Sequence, residues 1–150
     1  MNNLIDKDMI IAHAVCDDWK DAGQKAGEML VKKGLIEERY IDGMFQAIKE
    51  IGMYIVIAPG IALFHARPED GALETGLSLV TLKDGINFGV EDKDPVHLAF
   101  ALAAKDKNSH LDLMASLSKV LQDSKVVNDL IEAPSEEAII EILDKKLKEA

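Results

Sequence analysis

Residues 58–71 read Ala-Pro-Gly-Ile-Ala-Leu-Phe-His-Ala-Arg-Pro-Glu-Asp-Gly and form the most informative stretch of this chain. Two prolines and two glycines lie in it, and the short apolar run Tyr54-Ile-Val-Ile57 precedes it. Proline and glycine punctuate regular structure, so this combination predicts a short strand that leads into a rigid turn. The turn presents one histidine, His65, at the edge of the scaffold, with charged residues close behind it.

The chemistry of His65 decides how this turn is interpreted. Imidazole is largely neutral near pH 7, is nucleophilic, and can pass on a group that it accepts, since its ordinary pKa is about 6.5. These properties suit a transient phosphoryl carrier. A histidine that only makes a hydrogen bond in a turn gives the same local sequence and is the commoner case. The loop alone leaves both interpretations open.

Composition limits the class of protein. A chain of 150 residues with 48% apolar and 29% charged residues fits one globular domain with a sizeable core. The net charge of −10 argues against nucleic-acid binding, which needs clustered Lys and Arg, and favours a basic or neutral protein partner. Charged residues follow the first Met almost at once and no long apolar stretch occurs, so we expect a cytoplasmic protein without direct membrane insertion.

The single cysteine and the scattered histidines give no second chemical centre. Cys16 is followed by Asp17 and Asp18, whose negative charge raises a thiol pKa and repels phosphate, so a packed thiol is favoured over a phosphocysteine. His13 and Cys16 have a ligand-like spacing, but two ligands do not complete a tetrahedral site. We therefore expect no metal and no cofactor, and we interpret His13 and His97 as packed or edge-strand residues.

Local signals predict the first elements of an α/β chain. A β-rich run from Ile10 to Cys16 precedes a helix that Asp17 or Asp18 caps and that ends near Lys33, before Gly34. A second helix is predicted over residues 37–50. The alternating segment 76–82 predicts a half-buried strand.

The second half of the chain contains one ambiguous segment. Lys83-Asp-Gly-Ile86 predicts a turn, with residues 86–90 pairing back to complete a hairpin. Residues 96–104 suit either a helix or a buried strand by periodicity alone. Ser109, with Asp112 three residues later, predicts the N-cap of the next helix, and two more helices are expected over about 125–132 and 135–149.

Two separated signatures resemble one known family. The segment Pro59-Gly-Ile-Ala-Leu-Phe-His-Ala-Arg-Pro-Glu69 is similar to the active-site signature of the enzyme IIA proteins of the bacterial sugar phosphotransferase system. Within the mannitol/fructose superfamily it is closest to the ascorbate-type branch. The segment 94–104, followed by His110-Leu-Asp-Leu-Met-Ala-Ser-Leu117, resembles the second signature of that family. The resemblance spans the chain as one type 2 enzyme IIA domain over residues 1–150 and favours a strand over 96–104.

The resemblance implies a single α/β domain in three layers, with a central mixed sheet flanked by helices. It assigns His65 the role of accepting a phosphoryl group from the phosphocarrier protein HPr and passing it to a cysteine of the cognate enzyme IIB. The sugar or ascorbate itself is handled by a membrane enzyme IIC, which this chain serves only indirectly. His110 becomes the helper histidine, and relatives react at Nε2.

The remaining site assignments follow from the same likeness or from local charge. Lys49 stands about where mannitol-type relatives carry an active-site arginine, although lysine lacks the bidentate grip of arginine. Arg67 is a candidate to neutralise phosphate and Glu69 to orient Arg67 or His65, while a surface ion pair explains both residues equally well. Phe64 replaces the usual family proline, and altered partner contacts are expected from it.

The expected partner surface is apolar and surrounds the histidine. It consists of Ile61, Leu63, Phe64 and Ala66, with charge at its rim. A regulatory enzyme IIA homologue, whose phosphorylation state is read by an effector, and a small-ligand binding domain remain alternatives. The transported substrate and the oligomeric state, including a possible homodimer, stay open.

Overall fold

The computed structural model describes residues 4–148, and its helices and strands are numbered here in chain order. The elements are β1 (Ile10–Ala14), α1 (Trp19–Lys32), α2 (Arg39–Ile51), β2 (Val56–Ala58), β3 (Ile61–Phe64), β4 (Gly76–Ile86), β5 (Val96–Ala103), α3 (Lys107–Leu121), α4 (Ser124–Glu132) and α5 (Glu136–Lys148). None of the helices within residues 4–148 is long and apolar enough to cross a membrane.

One mixed sheet forms the centre of the fold, with the strand order β1-β4-β5-β3-β2. β1 is parallel to β4 and β3 is parallel to β5, whereas β4 runs antiparallel to β5 and β2 antiparallel to β3. The buried Ser78 hydroxyl of β4 donates to the Ala26 carbonyl of α1 at 2.7 Å, so α1 covers that face. Side chains alternate along a strand, which turns Leu77 and Leu79 to the opposite face. Both are buried, and α4 and α5 pack on β4 and β1.

This arrangement confirms the predicted single α/β domain with a central mixed sheet flanked by helices. The first helix also has its predicted ends. Asp18 is the N-cap of α1, where its carboxylate accepts from the Asp21 amide at 2.8 Å, and Gly34 follows the helix with a φ of 76°. Glycine adopts a positive φ with the least strain, which explains why the helix stops there.

The predicted hairpin over residues 76–90 is wrong. β4 continues through Lys83-Asp-Gly85 to Ile86, which pairs with Val96 of β5 after a shift in register between Thr81 and Ile86. A β-carbon at Gly85 would lie 2.7 Å from a side-chain atom of Pro95. The glycine in this segment therefore allows close packing of two strands and does not mark a turn.

The actual reversal lies in residues 87–95. The Asp94 carboxylate holds this loop by accepting hydrogen bonds from the amides of residues 88, 89 and 90 at 2.7, 2.9 and 2.9 Å. The chain then returns as β5, which confirms the strand predicted for residues 96–104. β5 is almost entirely buried, as expected for a central strand covered on both faces.

The predicted cap of α3 is also wrong. Asp106, and not Ser109, is the N-cap, because its carboxylate accepts from the Ser109 amide at 2.7 Å. The Ser109 amide lies three residues inside the helical end, where an N-cap side chain normally finds its donor. His110 still falls in the first turns of the helix, with its amide bonded to the Asp106 carbonyl at 3.1 Å.

Candidate active site

His65 lies at the edge of the sheet where two central strands end. It directly follows β3, whose residue Phe64 pairs with Ala101 of the parallel strand β5. Parallel neighbours end at the same edge, so the loop from β5 into α3 begins beside His65. The strands therefore place the histidine at the rim of a rigid scaffold, as the sequence predicted. Its side chain is half-buried there.

The tautomer of the His65 ring follows from its hydrogen bond. Nδ1 lies 2.8 Å from the carbonyl oxygen of Leu63. A carbonyl oxygen can only accept, so Nδ1 carries the proton and donates. In the neutral ring the other nitrogen, Nε2, then has the free electron pair. Nε2 is the nucleophilic atom of this arrangement.

Tyr54 contacts both the side chain and the backbone of His65. The two rings are edge-to-face, with centroids 5.1 Å apart and planes at 87°. The Tyr54 hydroxyl donates to the His65 carbonyl oxygen at 3.0 Å. Burial, with a smaller contribution from Asp70, raises the pKa of Tyr54, so the hydroxyl remains a donor at neutral pH.

Tyr40 links the ends of β3 and β5 through hydrogen bonds of its hydroxyl. Its hydroxyl lies 2.8 Å from the Leu102 carbonyl oxygen and 3.1 Å from the Ala66 carbonyl oxygen, and it accepts from the Ala66 amide at 3.1 Å. Tyr40 is 1% exposed, and burial raises its pKa to about 12. The neutral phenol thus fixes the residue after His65 to the end of β5.

A cavity of about 410 Å³ opens beside the imidazole. One wall is a stripe of α2 at the spacing i, i+3, i+4, i+7 and i+8, and the other wall is the loop that follows β3. The lining residues are Gly43, Gln46, Ala47, Glu50, Ile51, Tyr54, His65, Ala66, Arg67 and Asp70.

The cavity brings one cation and two carboxylates to the histidine. Arg67 lines it and is largely exposed, with Nε 3.9 Å from the Asp70 carboxylate. The Glu50 carboxylate accepts from the side-chain amide of Gln46 at 2.9 Å. The predicted pairing of Arg67 with Glu69 is wrong: the carboxylate beside Arg67 is that of Asp70. Glu69 is exposed and offers its backbone carbonyl to Arg39 at 2.9 Å.

Lys49 does not join this group. It is exposed and is absent from the cavity lining, although the neighbouring Glu50 and Ile51 line it. At 100° per residue, Lys49 lies about 130° around the helix from the centre of the stripe. The helical period therefore places Lys49, which the sequence suggested as a phosphate contact, away from the face of α2 that lines the cavity.

His110 begins near the same edge of the sheet but does not line the cavity. The end of its helix is occupied by Asp106, whose pKa is lowered mainly by the hydrogen bond from the Ser109 amide. That carboxylate already takes the position where we expected the helix to favour a phosphate. The strand directions place the start of α3 at the same edge of the sheet as His65, and within residues 4–148 His110 makes no hydrogen bond or ring contact with the imidazole.

Three residues of the expected partner surface are buried, which corrects that prediction. Ile61 and Leu63 are 3% exposed and Phe64 is fully buried, because the segment is a strand covered on both faces. The Phe64 ring packs against Phe45 and Phe88, at centroid distances of 6.5 and 6.0 Å. Phe64 therefore acts as a core residue beneath the histidine and not as a partner contact; only Ala66 reaches the cavity.

The pKa of the Cys16 thiol is raised, as the two aspartates that follow it suggested. Burial raises the pKa of its thiol, Asp17 and Asp18 raise it further, and Lys25 opposes the shift. Cys16 follows β1, which runs antiparallel to β3, so it lies at the opposite edge of the sheet from His65. Among residues 4–148 no cluster of three or more His, Cys, Asp or Glu could hold a metal ion.

Sequence reasoning missed Tyr40, Tyr54 and Asp70. The two tyrosines are the only ones in the chain; Tyr40 lies in α2, and Tyr54 lies in the run that leads into the histidine loop. An aromatic residue with a polar tip, placed just before a reactive loop, is the signal that could have pointed to Tyr54.

Comparison with known protein families agrees with these geometric findings. The sequence matches the family described as phosphoenolpyruvate-dependent sugar phosphotransferase system, EIIA 2, over residues 3–146. The ascorbate-specific PTS system EIIA component of Shigella boydii serotype 4 is 32% identical over 145 residues, covering 96% of this chain and 94% of the relative. The component of the same name from Escherichia coli strain K12 is 31% identical with the same coverage.

Solved structures share the fold. The mannitol-specific cryptic phosphotransferase enzyme IIA CmtB from Escherichia coli is 32% identical, with a TM-score of 0.84 over 95% of each chain. Enzyme IIA for mannitol from Escherichia coli, solved in complex with phosphorylated enzyme IIB, is 27% identical, with a TM-score of 0.82 over 94% of this chain and 97% of that one.

Proposed function

The chain belongs to the type 2 enzyme IIA family of the phosphoenolpyruvate-dependent sugar phosphotransferase system, whose members are phosphotransferase subunits, and on this premise we propose that it carries the phosphoryl group on Nε2 of His65. The observation that carries the proposal is the hydrogen bond from Nδ1 to the Leu63 carbonyl. It leaves Nε2 as the one free nucleophile of the ring, beside an open cavity.

In the first half of the reaction, the Nε2 electron pair attacks the phosphorus atom of phosphorylated HPr. The new Nε2–P bond forms as the bond to HPr breaks, and the bonding pair of the broken bond stays on HPr. Nδ1 keeps its proton throughout, because the Leu63 carbonyl accepts only a hydrogen bond from Nδ1–H and does not take the proton.

In the second half, a cysteine thiolate of enzyme IIB attacks the phosphorus atom. The electron pair of the Nε2–P bond returns to the ring, which leaves as neutral imidazole because Nδ1 is already protonated. No proton has to be moved at His65 in either direction, which suits a carrier that must load and unload quickly. The solved relative in complex with phosphorylated enzyme IIB supports enzyme IIB as the acceptor class.

The charges that line the cavity only partly neutralise a bound phosphoryl group. Arg67 is proposed as the cation that meets the equatorial oxygens, and its charge is offset by Glu50 and Asp70, which line the same cavity. Stabilisation of the transferred group therefore depends partly on cations that the docked partner supplies. His110 is proposed as a helper that approaches only in the complex, since its helix begins at the same edge of the sheet.

The partner surface is accordingly proposed to be the rim of the cavity. Ile51 is 71% exposed at the end of the α2 stripe, and Ala47 and Ala66 line the same cavity as the imidazole. HPr and enzyme IIB use this surface in turn. An apolar centre with a charged rim suits a transient complex of this kind.

The cargo of the pathway is proposed from the relatives. The matched components from Shigella and Escherichia are named as ascorbate-specific, so ascorbate uptake in the cytoplasmic phosphoryl relay is the first candidate, with a sugar or sugar alcohol as the alternative. A membrane enzyme IIC recognises that cargo, and this chain does not bind it.

The relay is tested with purified components. We expect phosphorylated protein, prepared with phosphoenolpyruvate, enzyme I and HPr, to lose its phosphate to an ascorbate-type enzyme IIB and not to the variant of that enzyme IIB lacking its cysteine. Failure to transfer to any ascorbate- or mannitol-type enzyme IIB, despite loading by HPr, would contradict the transport role.

A further inference from the structure

We propose that Tyr54 is a positioning residue of this site, holding the His65 imidazole in the single orientation and tautomer that exposes Nε2. The effect on catalysis rests on the proposed function, but the effect on the ring itself does not. Tyr54 is the residue whose side chain contacts both the His65 ring and the His65 backbone.

Two contacts are needed because one hydrogen bond does not fix an imidazole. The bond to Leu63 restrains only Nδ1, and rotation of the ring about its Cβ–Cγ bond breaks it and turns a carbon toward the carbonyl. The Tyr54 ring, perpendicular to the imidazole at 5.1 Å, lies against the space through which the ring must turn. An edge-to-face pair of this kind favours the orientation that makes it.

The Tyr54 hydroxyl restrains the backbone of the same residue. Its bond to the His65 carbonyl limits rotation of the peptide that follows the histidine. The raised pKa of Tyr54 keeps the proton on the hydroxyl at the pH of the reaction. The ring contact and the hydroxyl contact thus act on different degrees of freedom and can be separated by substitution.

The scaffold ties the two sides of this clamp together. The carbonyl of Leu63 accepts the hydrogen bond from Nδ1, and the amide of the same residue donates to the carbonyl of Ile55 at 2.8 Å. Ile55 is fully buried and is the residue next to Tyr54. The Tyr54 amide in turn donates to the carbonyl of Gly52 at 2.9 Å. Tyr54 and Leu63 are therefore held at a fixed separation, with the imidazole between them.

The test compares Tyr54→Phe, which keeps the ring, with Tyr54→Leu, which removes it. Phe88→Leu is the matched control, because it also removes a core aromatic contact near Trp19 and Phe64 but none with His65. The first measurement is the ¹⁵N spectrum of the His65 ring in the unphosphorylated protein, which distinguishes a proton on Nδ1 from one on Nε2. The second is the rate of phosphoryl transfer from phosphorylated HPr.

We expect wild type, Tyr54→Phe and the control to keep the proton on Nδ1. Tyr54→Leu should shift the tautomer ratio toward Nε2–H by roughly 2- to 12-fold, the factor that an aromatic pair contributes. Its kcat for transfer should fall by a similar factor, while KM for HPr changes less than twofold. Tyr54→Phe should recover most of the lost rate.

Two results would overturn the proposal. One is an unchanged ring spectrum in Tyr54→Leu, and in that case a rise in KM alone would assign Tyr54 to docking. The other is an equal tautomer shift in Phe88→Leu, which would mean that general loosening of the core moves the ring. If wild type accepted no phosphate from HPr, the proposed function would fail, yet the spectra would still decide whether Tyr54 fixes the tautomer.

Discussion

Replacing Tyr40 with phenylalanine removes one buried hydroxyl and nothing else. The Leu102 carbonyl, in a residue 2% exposed, loses a donor at 2.8 Å, and the Ala66 amide loses its acceptor at 3.1 Å. An unsatisfied buried group costs about 1–3 kcal/mol, and the half-buried Ala66 amide costs less because water can reach it. We therefore expect the free energy of unfolding to fall by about 3 kcal/mol, which lowers Tm by about 6–12 °C in a chain of this size.

Urea denaturation followed by circular dichroism measures this loss. Tyr54→Phe is the control, because its hydroxyl is half-buried and makes one hydrogen bond, so its removal should cost about 1 kcal/mol. A Tyr40→Phe protein that unfolds within about 0.5 kcal/mol of wild type would refute the argument that this phenol joins the ends of β3 and β5.

The same substitution has a signature at high pH. The pKa of Tyr40 is near the ordinary tyrosine value of 10.0 in the unfolded chain, and burial raises it to about 12 in the folded protein. Between these values the unfolded chain has lost the proton that the folded chain still holds, so stability falls as pH rises, by at most about 1.4 kcal/mol per pH unit. Tyr40→Phe lacks this slope, and its difference from wild type should shrink from pH 10 to pH 12. A constant difference would contradict the buried phenol.

Two further substitutions test the fold around the site. Asp94→Ala leaves three amides of the 88–90 loop without their acceptor and should lower the free energy of unfolding by about 2 kcal/mol or more in urea titrations, whereas Asp94→Asn, which keeps one oxygen, should lose less. Equal losses in the two variants would argue against the carboxylate as the loop anchor. Phe64→Leu should cost about 1–2 kcal/mol of stability and leave KM for HPr unchanged, because the ring is fully buried. A raised KM in a fully folded Phe64→Leu protein would restore that position to the partner surface.

The helices were predictable because their signals are local. Asp18 as a cap, Gly34 as a stop and the apolar period between them are all present within residues 18–34, and α1 follows them closely. The hairpin failed because Gly85 has a second use that only the folded chain reveals, the close approach of Pro95. At α3, two capping residues lie three positions apart, and the geometry selects Asp106 over Ser109.

The sequence predicted the nucleophile of the candidate site but not the residues that surround it. His65 stands out from the sequence because prolines and glycines bracket it, and the parallel strands then place it at a sheet edge. The hydroxyls of Tyr40 and Tyr54 bond to the backbone of residues 26 and 11 positions further along the chain, and no local pattern encodes such contacts. The burial of Phe64 was missed because four successive apolar residues were assigned to a turn, although such a run is typical of a strand covered on both faces.

The most direct test of the account is the mass of the protein after incubation with phosphoenolpyruvate, enzyme I and HPr. His13→Ala is the matched control, because His13 is exposed and belongs to β1, away from the cavity. We predict one acid-labile phosphate on wild type and on His13→Ala, none on His65→Ala, and a ³¹P–¹⁵N coupling to Nε2 of His65. A phosphate that persists in His65→Ala, or wild type that gains none, would contradict the assignment of His65 as the phosphoryl carrier.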